Sequence, residues 1–122
     1  MQYTRRGFTI VELLVVIAIV VALATITIFA FGSWRQRTAK TEVQNELYTV
    51  SSSLKNYLNF NNSYPATLAT MQYSGNSNVT LTYTLRPGGT SYCLSATSMA
   101  VASVVMYIDS VNGTTPVSTA CS

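Results

Sequence analysis

No histidine occurs anywhere in these 122 residues, an absence that removes Ser-His-Asp catalysis and, with only two cysteines, makes a zinc site implausible. Charge is scarce as well, with seven basic and four acidic side chains and none at all between Leu13 and Phe31. A net of +3 spread so thinly is no nucleic-acid footprint by charge alone. Serine, threonine and asparagine are abundant instead, which suits an exposed surface kept soluble by hydroxyls and amides. The acids Glu42, Glu46 and Asp109 form no obvious pair flanking a site, and a serine near Lys40 or Lys55 is expected by chance. The composition therefore points away from an enzyme, and no cofactor or metal is implied.

The most prominent feature present is an apolar run. From Leu13 to Phe31 nineteen consecutive residues are uncharged and mainly aliphatic, enough at 1.5 Å per residue to cross most of a bilayer core as a helix. Trp34 and then Arg35, Arg37 and Lys40 follow, an indole and cations of the kind that anchor a span at the interface. Arg5 and Arg6 flank the other side, so the positive-inside rule does not fix orientation. With the N-terminal third in a membrane, the soluble remainder is about 60–90 residues, a size that commonly needs a covalent staple. Glu12 stands near the start of the apolar stretch. A carboxylate costs roughly 2.5–3.5 kcal/mol at mid-bilayer, so its presence calls for a partner charge.

Beyond Thr38 the pattern turns periodic. Val43, Leu47, Val50, Leu54 and then Tyr57 or Leu58 recur at steps of four and three, one apolar stripe on a helix. Glu42, Glu46, Lys40 and Lys55 fall off that stripe. Asn59, Asn61, Asn62, Ser63 and Pro65 predict a stop near Phe60. If residues 8–60 are all helical, the rod is about 80 Å long. Residues 61–78 read as a connecting loop with a short helical turn around Ala66 to Met71. Val79–Leu85 alternates apolar residues with threonine, and Ser91–Thr97 and Val101–Asp109 read as two further strands, separated by turns at Pro87-Gly88-Gly89 and Asn112-Gly113. The expected class is α+β: a long N-terminal helix, membrane-spanning in its first half, packed by its second half against an antiparallel sheet of three or four strands. Three Asn-x-Ser/Thr triplets, at Asn61, Asn78 and Asn112, are frequent by composition in so polar a tail.

The segment Arg5-Arg6-Gly7-Phe8-Thr9-Ile10-Val11-Glu12, leading into Leu13–Ile19, resembles the type IV pilin family, whose class III leader ends in Gly before Phe-Thr-x-x-Glu and an apolar helix. The resemblance implies a cytoplasmic leader at 1–7, cleaved between Gly7 and Phe8 by a prepilin peptidase that also methylates the new Phe8 amine. Loss of the leader leaves five basic and four acidic groups, a net of +1. Residues 8–34 would be the transmembrane and filament-core helix, and 35–122 the globular domain with the second half of that helix. One helix allows Glu12 to pair with the Phe8 amine within a subunit or between neighbours, and the resemblance favours a neighbour, Thr9 adding a hydroxyl hydrogen bond, as the pilus assembly machinery packs a homo-oligomeric helical filament at the cell surface. More loosely, Asn62-Ser63-Tyr64-Pro65 looks like the Gly-x-Tyr-Pro turn that ends the long helix in many relatives. Cys93 and Cys121 resemble the pair that fastens a pilin's C-terminal region to its sheet, two free thiols being the alternative. The chain departs from the family in lacking a proline about where Phe29 stands, and a softer spot is expected instead at the β-branched run Thr25-Ile26-Thr27-Ile28.

Four other readings compete. A secretory signal would use Ala22-Leu23-Ala24 as its cleavage site and leave a mature start at Thr25; a plain anchor would keep Met1. A pseudopilin of a type II secretion machine would use the same helix in a short periplasmic piston, although calcium-binding acids common in its major form are reduced here to Asp109. A minor pilin would display an adhesive or DNA-capturing surface, with Arg86 as cation and Tyr83 and Tyr92 as stacking rings.

Overall fold

The structure is a computed structural model and describes residues 6–122. Arg5 and most of the expected leader lie outside the described residues. The chain divides into two units, one reaching to Trp34 and the other comprising Arg35–Ser122. One helix, α1 (Ile10–Asn61), contributes to both. It starts two residues later than the sequence suggested, because Thr9 is its N-cap.

In the first unit every described residue is exposed. Helix α1 is long and apolar enough here to cross a membrane. Apolar on all sides, this stretch has no face suited to water and requires lipid or other helices around it. The helix runs unbroken through Thr25–Ile28. The Thr25 hydroxyl donates to the Val21 carbonyl at 2.6 Å and the Thr27 hydroxyl to the Leu23 carbonyl at 2.8 Å, so neither needs a partner from outside its own helix.

In the second unit the predicted stripe becomes the core. Ala39, Val43, Leu47, Val50 and Leu54 of α1 are buried, while Tyr57 and Leu58 are half-buried at its end. Asn62 ends the helix in the left-handed conformation (φ 57°), its N–H donating to the Leu58 carbonyl at 2.8 Å. Asparagine tolerates that geometry where a β-branched residue would not. After a 3-10 turn at Leu68–Met71 come strands β1 (Val79–Leu85), β2 (Tyr92–Ser98) and β3 (Val105–Asp109), antiparallel in the order β1-β2-β3. The β1–β2 connection needs glycine at two successive positions, Gly88 (φ 95°) and Gly89 (φ 70°).

Register places Leu81 opposite Ala96, Tyr83 opposite Leu94, and Met106 and Ile108 opposite Ala96 and Leu94. One face of the sheet therefore carries the apolar set, and Tyr92, Leu94, Ala96, Met106 and Ile108 cluster with the α1 stripe. The Ser51 and Tyr92 hydroxyls meet at 3.1 Å within this core. Among the described residues, every buried side-chain nitrogen or oxygen has a hydrogen-bond partner.

Two expectations change. β3 starts four residues later than the predicted Val101, because Val104 N–H turns back to the Val101 carbonyl at 2.9 Å and Val101 N–H donates to Ser98 Oγ at 3.2 Å. A fourth strand is reduced to one bridge, in which Tyr107 and Val117 exchange hydrogen bonds of 2.7 and 2.9 Å along the outer edge of β3. Leu47, fully buried at the centre of the stripe, gives a direct check of the core. Leu47→Ala is expected to cost about 2–5 kcal/mol, read as a fall in the near-UV circular dichroism melting point of the full chain in detergent.

Candidate functional site

Gly7 and Phe8 precede α1 in irregular backbone, with Phe8 exposed. A Cβ added at Gly7 would meet nothing within 4 Å, so the chain's own packing does not demand glycine there. Directly after Phe8, the helix opens in a capping box. Thr9 N–H donates to Glu12 Oε2 at 2.9 Å, and Glu12 N–H donates to Thr9 Oγ1 at 3.2 Å. This Thr-x-x-Glu reciprocity satisfies two of the donors that a helix N-terminus leaves open, and the carboxylate also faces the positive end of the helix dipole. Glu12 thus has a partner within its own chain that the sequence reading overlooked. The signal was present in the spacing from Thr9, read there for charge rather than for capping. Glu12 Oε1 makes no hydrogen bond among the described residues, so one oxygen of the carboxylate is open to a cation from outside.

The remaining acids are committed. Glu46, expected on the solvated face, is buried, a correction with a clear cause. Its Oε1 accepts the Tyr73 hydroxyl and the Asn76 N–H, the latter at 3.0 Å. Glu42 Oε1 accepts the amides of Asn76 at 3.3 Å and Asn78 at 3.1 Å. One helical turn apart, the two carboxylates bind the loop before β1. Asp109 forms an ion pair with Arg86 at 2.7 Å and accepts the Val111 N–H at 3.1 Å.

That pairing alters the DNA-capturing reading. Arg86 is held by Asp109 and by the Ser122 carbonyl at 2.8 Å. Tyr92 is fully buried, its ring 4.7 Å from Tyr64 and 5.8 Å from Tyr83, and the Tyr83 hydroxyl donates to the Pro65 carbonyl at 2.8 Å. Of the expected cation and stacking rings, Tyr92 is core, while Arg86 and Tyr83 are half-buried and engaged within the domain. Among the described residues no group of three or more His, Cys, Asp or Glu side chains could hold a metal. Cys93 of β2 and Cys121 of the tail are joined in a disulfide with Cα atoms 6.1 Å apart.

These contacts give the domain two pH limits. The hydrogen bond from Arg86, then that from Val111, holds the Asp109 carboxyl below its ordinary range, against the opposing effect of burial. Stability from it is present above the unfolded carboxylate value and lost as pH falls through the depressed one. Burial first, then Tyr92 and Tyr64, pushes Tyr83 up to about 12 from 10.0. Tyr73 is raised too, by burial first and then by Glu46. A phenol raised on folding stabilises fully below its unfolded value and ceases to as pH climbs through the folded one. Unfolding is therefore expected to ease between about pH 10 and 12, with the Tyr83 phenolate forming in step as read from its ring resonances; a Tyr83 phenolate near pH 10 with the fold intact would contradict these contacts.

No curated protein matches the sequence. Residues 3–32, which span Gly7, Phe8, Thr9, Glu12 and the apolar run, match the family model of the prokaryotic N-terminal methylation motif.

Proposed function

We propose that the protein is a structural subunit of a type IV pilus-like filament. It is inserted as a precursor with residues 1–7 inside, spans the membrane with residues 8–34, and carries residues 35–122 as its globular domain outside. A prepilin peptidase cleaves Gly7–Phe8 and methylates Phe8. Methylation keeps the amine's positive charge. The subunit then leaves the lipid and packs by α1 into a filament core at the cell surface, where Glu12 meets the Phe8 amine of a neighbour.

The observation that carries this reading is the open oxygen of Glu12 in a helix end exposed on every side. Lipid and protein interiors are similarly apolar, so hydrophobic transfer gives little preference for one over the other. A carboxylate with capacity for one more donor gives register, because a misplaced neighbour leaves it unpaired among apolar groups. Pilins are structural proteins rather than enzymes. The pseudopilin reading shares the motif, but Asp109, the acid left for a calcium site, is bound to Arg86.

N-terminal sequencing and intact mass of protein recovered from membranes test the processing step. The expected mature chain starts at Phe8 and is one methyl group heavier than its unmodified sequence. A start at Thr25 indicates a secretory signal instead, and retention of Met1 a plain anchor.

A further inference from the structure

We propose that Asn112 is a self-modification site, at which the chain converts its own side-chain amide to a carboxylate. Asn112 is the one asparagine of the sequence that is followed by glycine. Both residues are exposed in the turn after β3. A Cβ added at Gly113 would meet nothing within 4 Å, and the backbone there holds φ at 124°, a region that glycine enters without steric cost. The Gly113 N–H donates no hydrogen bond among the described residues. That backbone nitrogen is therefore available as a nucleophile, with no side chain of its own crowding its approach to the amide carbon before it.

Gly113 N gives its proton to water or hydroxide and attacks Asn112 Cγ. The new N–Cγ bond closes a succinimide ring, the Cγ–Nδ2 bond breaks, and ammonia departs with a proton in place of the one lost. Water then opens the ring, at the side-chain carbonyl to give aspartate or at the main-chain carbonyl to give isoaspartate. A cavity of about 260 Å³, lined in part by Asp109, Asn112, Gly113 and Ser122, gives water access to the ring. The other asparagines each lack a requirement. Asn45, Asn56, Asn59 and Asn61 stand in α1, where the next backbone N–H is bonded to the preceding turn. The Val79 N–H that follows Asn78 donates to the Asn76 carbonyl at 3.2 Å. Asn62 and Asn76 precede serines, whose Cβ hinders the attacking nitrogen.

The change acts on its surroundings. Asn112 Nδ2 donates to Asp109 Oδ2 at 3.3 Å, the same oxygen that takes the Arg86 guanidinium at 2.7 Å. The aspartate product sets an anion in that donor's place, and like charges about 4 Å apart in water disfavour their contact roughly fivefold. Isoaspartate lengthens by one carbon a turn in which Asn112 N–H is bound to the Asp109 carbonyl at 3.0 Å. Modification therefore loosens this turn, and because no enzyme is needed its extent records the age of each copy of the chain. None of these steps depends on membrane insertion or assembly.

The test holds the full chain, disulfide intact, in detergent at neutral and at mildly alkaline pH, with peptide mapping by mass spectrometry and isoaspartyl methyltransferase labelling. Asn112 is expected to change before any other asparagine, and faster at the higher pH because Gly113 N must lose its proton. The rate in the folded chain should lie within about tenfold of that in the urea-denatured chain, since an exposed turn needs no more than local opening. A site that had to wait for global unfolding would react about a thousandfold more slowly or worse. That result overturns the proposal, as does earlier change at another asparagine. Asn112→Gln keeps an amide on a longer side chain and should abolish the isoaspartate signal; a signal that survives in this variant also overturns the proposal. Asn112→Asp carries one product from the outset. Its Val111 amide, bonded to Asp109 Oδ1 at 3.1 Å in the unmodified chain, should exchange about fivefold faster, and an unchanged rate overturns the loosening of the turn.

Discussion

Glu12→Leu is expected to leave membrane insertion and leader cleavage near normal and to abolish filaments. The apolar run that inserts is untouched by the change, and Gly7 and Phe8 lie outside α1. On the proposed function, what the variant loses is the carboxylate that distinguishes one stacking register from another. Leaving a buried charge without its partner costs about 3–5 kcal/mol, and each 1.4 kcal/mol is a factor of ten. Subunit addition should therefore weaken by about two to three and a half orders of magnitude, because the neighbour's Phe8 amine is then the stranded charge. The capping box makes a sharper comparison available. Glu12→Gln keeps an acceptor for Thr9 N–H, since glutamine serves at the same position of such a box, but removes the charge. Filaments should be lost here as well. Normal filaments from Glu12→Gln would reduce the carboxylate to a helix cap. Immunoblots of membrane fractions and electron microscopy of the cell surface read both variants.

Removing the disulfide is the second large effect. Cys93 and Cys121 lie 28 positions apart, and closing a loop of that length constrains the unfolded chain by about 3–4 kcal/mol. For a domain of this size that is much of the total stability. The variant Cys93→Ser/Cys121→Ser should melt on the order of 12–30 °C lower. The local consequence is as informative. The tail reaches the sheet through the Tyr107–Val117 bridge and the Arg86 contact to Ser122, two polar links that do not hold a dozen residues against chain entropy unaided. Amide exchange at Tyr107 and Val117 should accelerate in the variant well before that of Leu94 and Ala96, which are buried on the central strand. Uniform acceleration across the sheet would mean that the tail is not a separately releasable element.

The sequence made the core stripe legible because Val43, Leu47, Val50 and Leu54 repeat at the helical period, and β1 because threonine alternates with its apolar residues. Glu46 was misjudged for a physical reason. Its charge assigns it to water, whereas its partners, Tyr73 and Asn76, come from a loop 27 and 30 positions away that no local pattern reveals. The stretch Val101–Val104 has the composition of a strand, yet a single serine hydroxyl at position 98 helps turn the chain there. At the N-terminal site, Gly7 and Phe8 were singled out by resemblance to the leader motif, and Glu12 by its charge at the edge of an apolar run. The Thr9 hydroxyl was assigned to a hydrogen bond near the junction, but its reciprocity with Glu12 emerges only when the helix start is fixed. Arg86, Tyr83 and Tyr92 find partners that local sequence does not display: Asp109 pairs with Arg86, and Tyr92 is buried against Tyr64 and Tyr83.

The most direct measurement is the surroundings of the Glu12 carboxylate inside the assembled filament, at a resolution that separates side chains. The account predicts a Glu12 oxygen within about 4 Å of the Phe8 nitrogen of an adjacent subunit, the range of an ion pair. A carboxylate still turned back on Thr9 N–H of its own chain, with no neighbouring amine in reach, would contradict it.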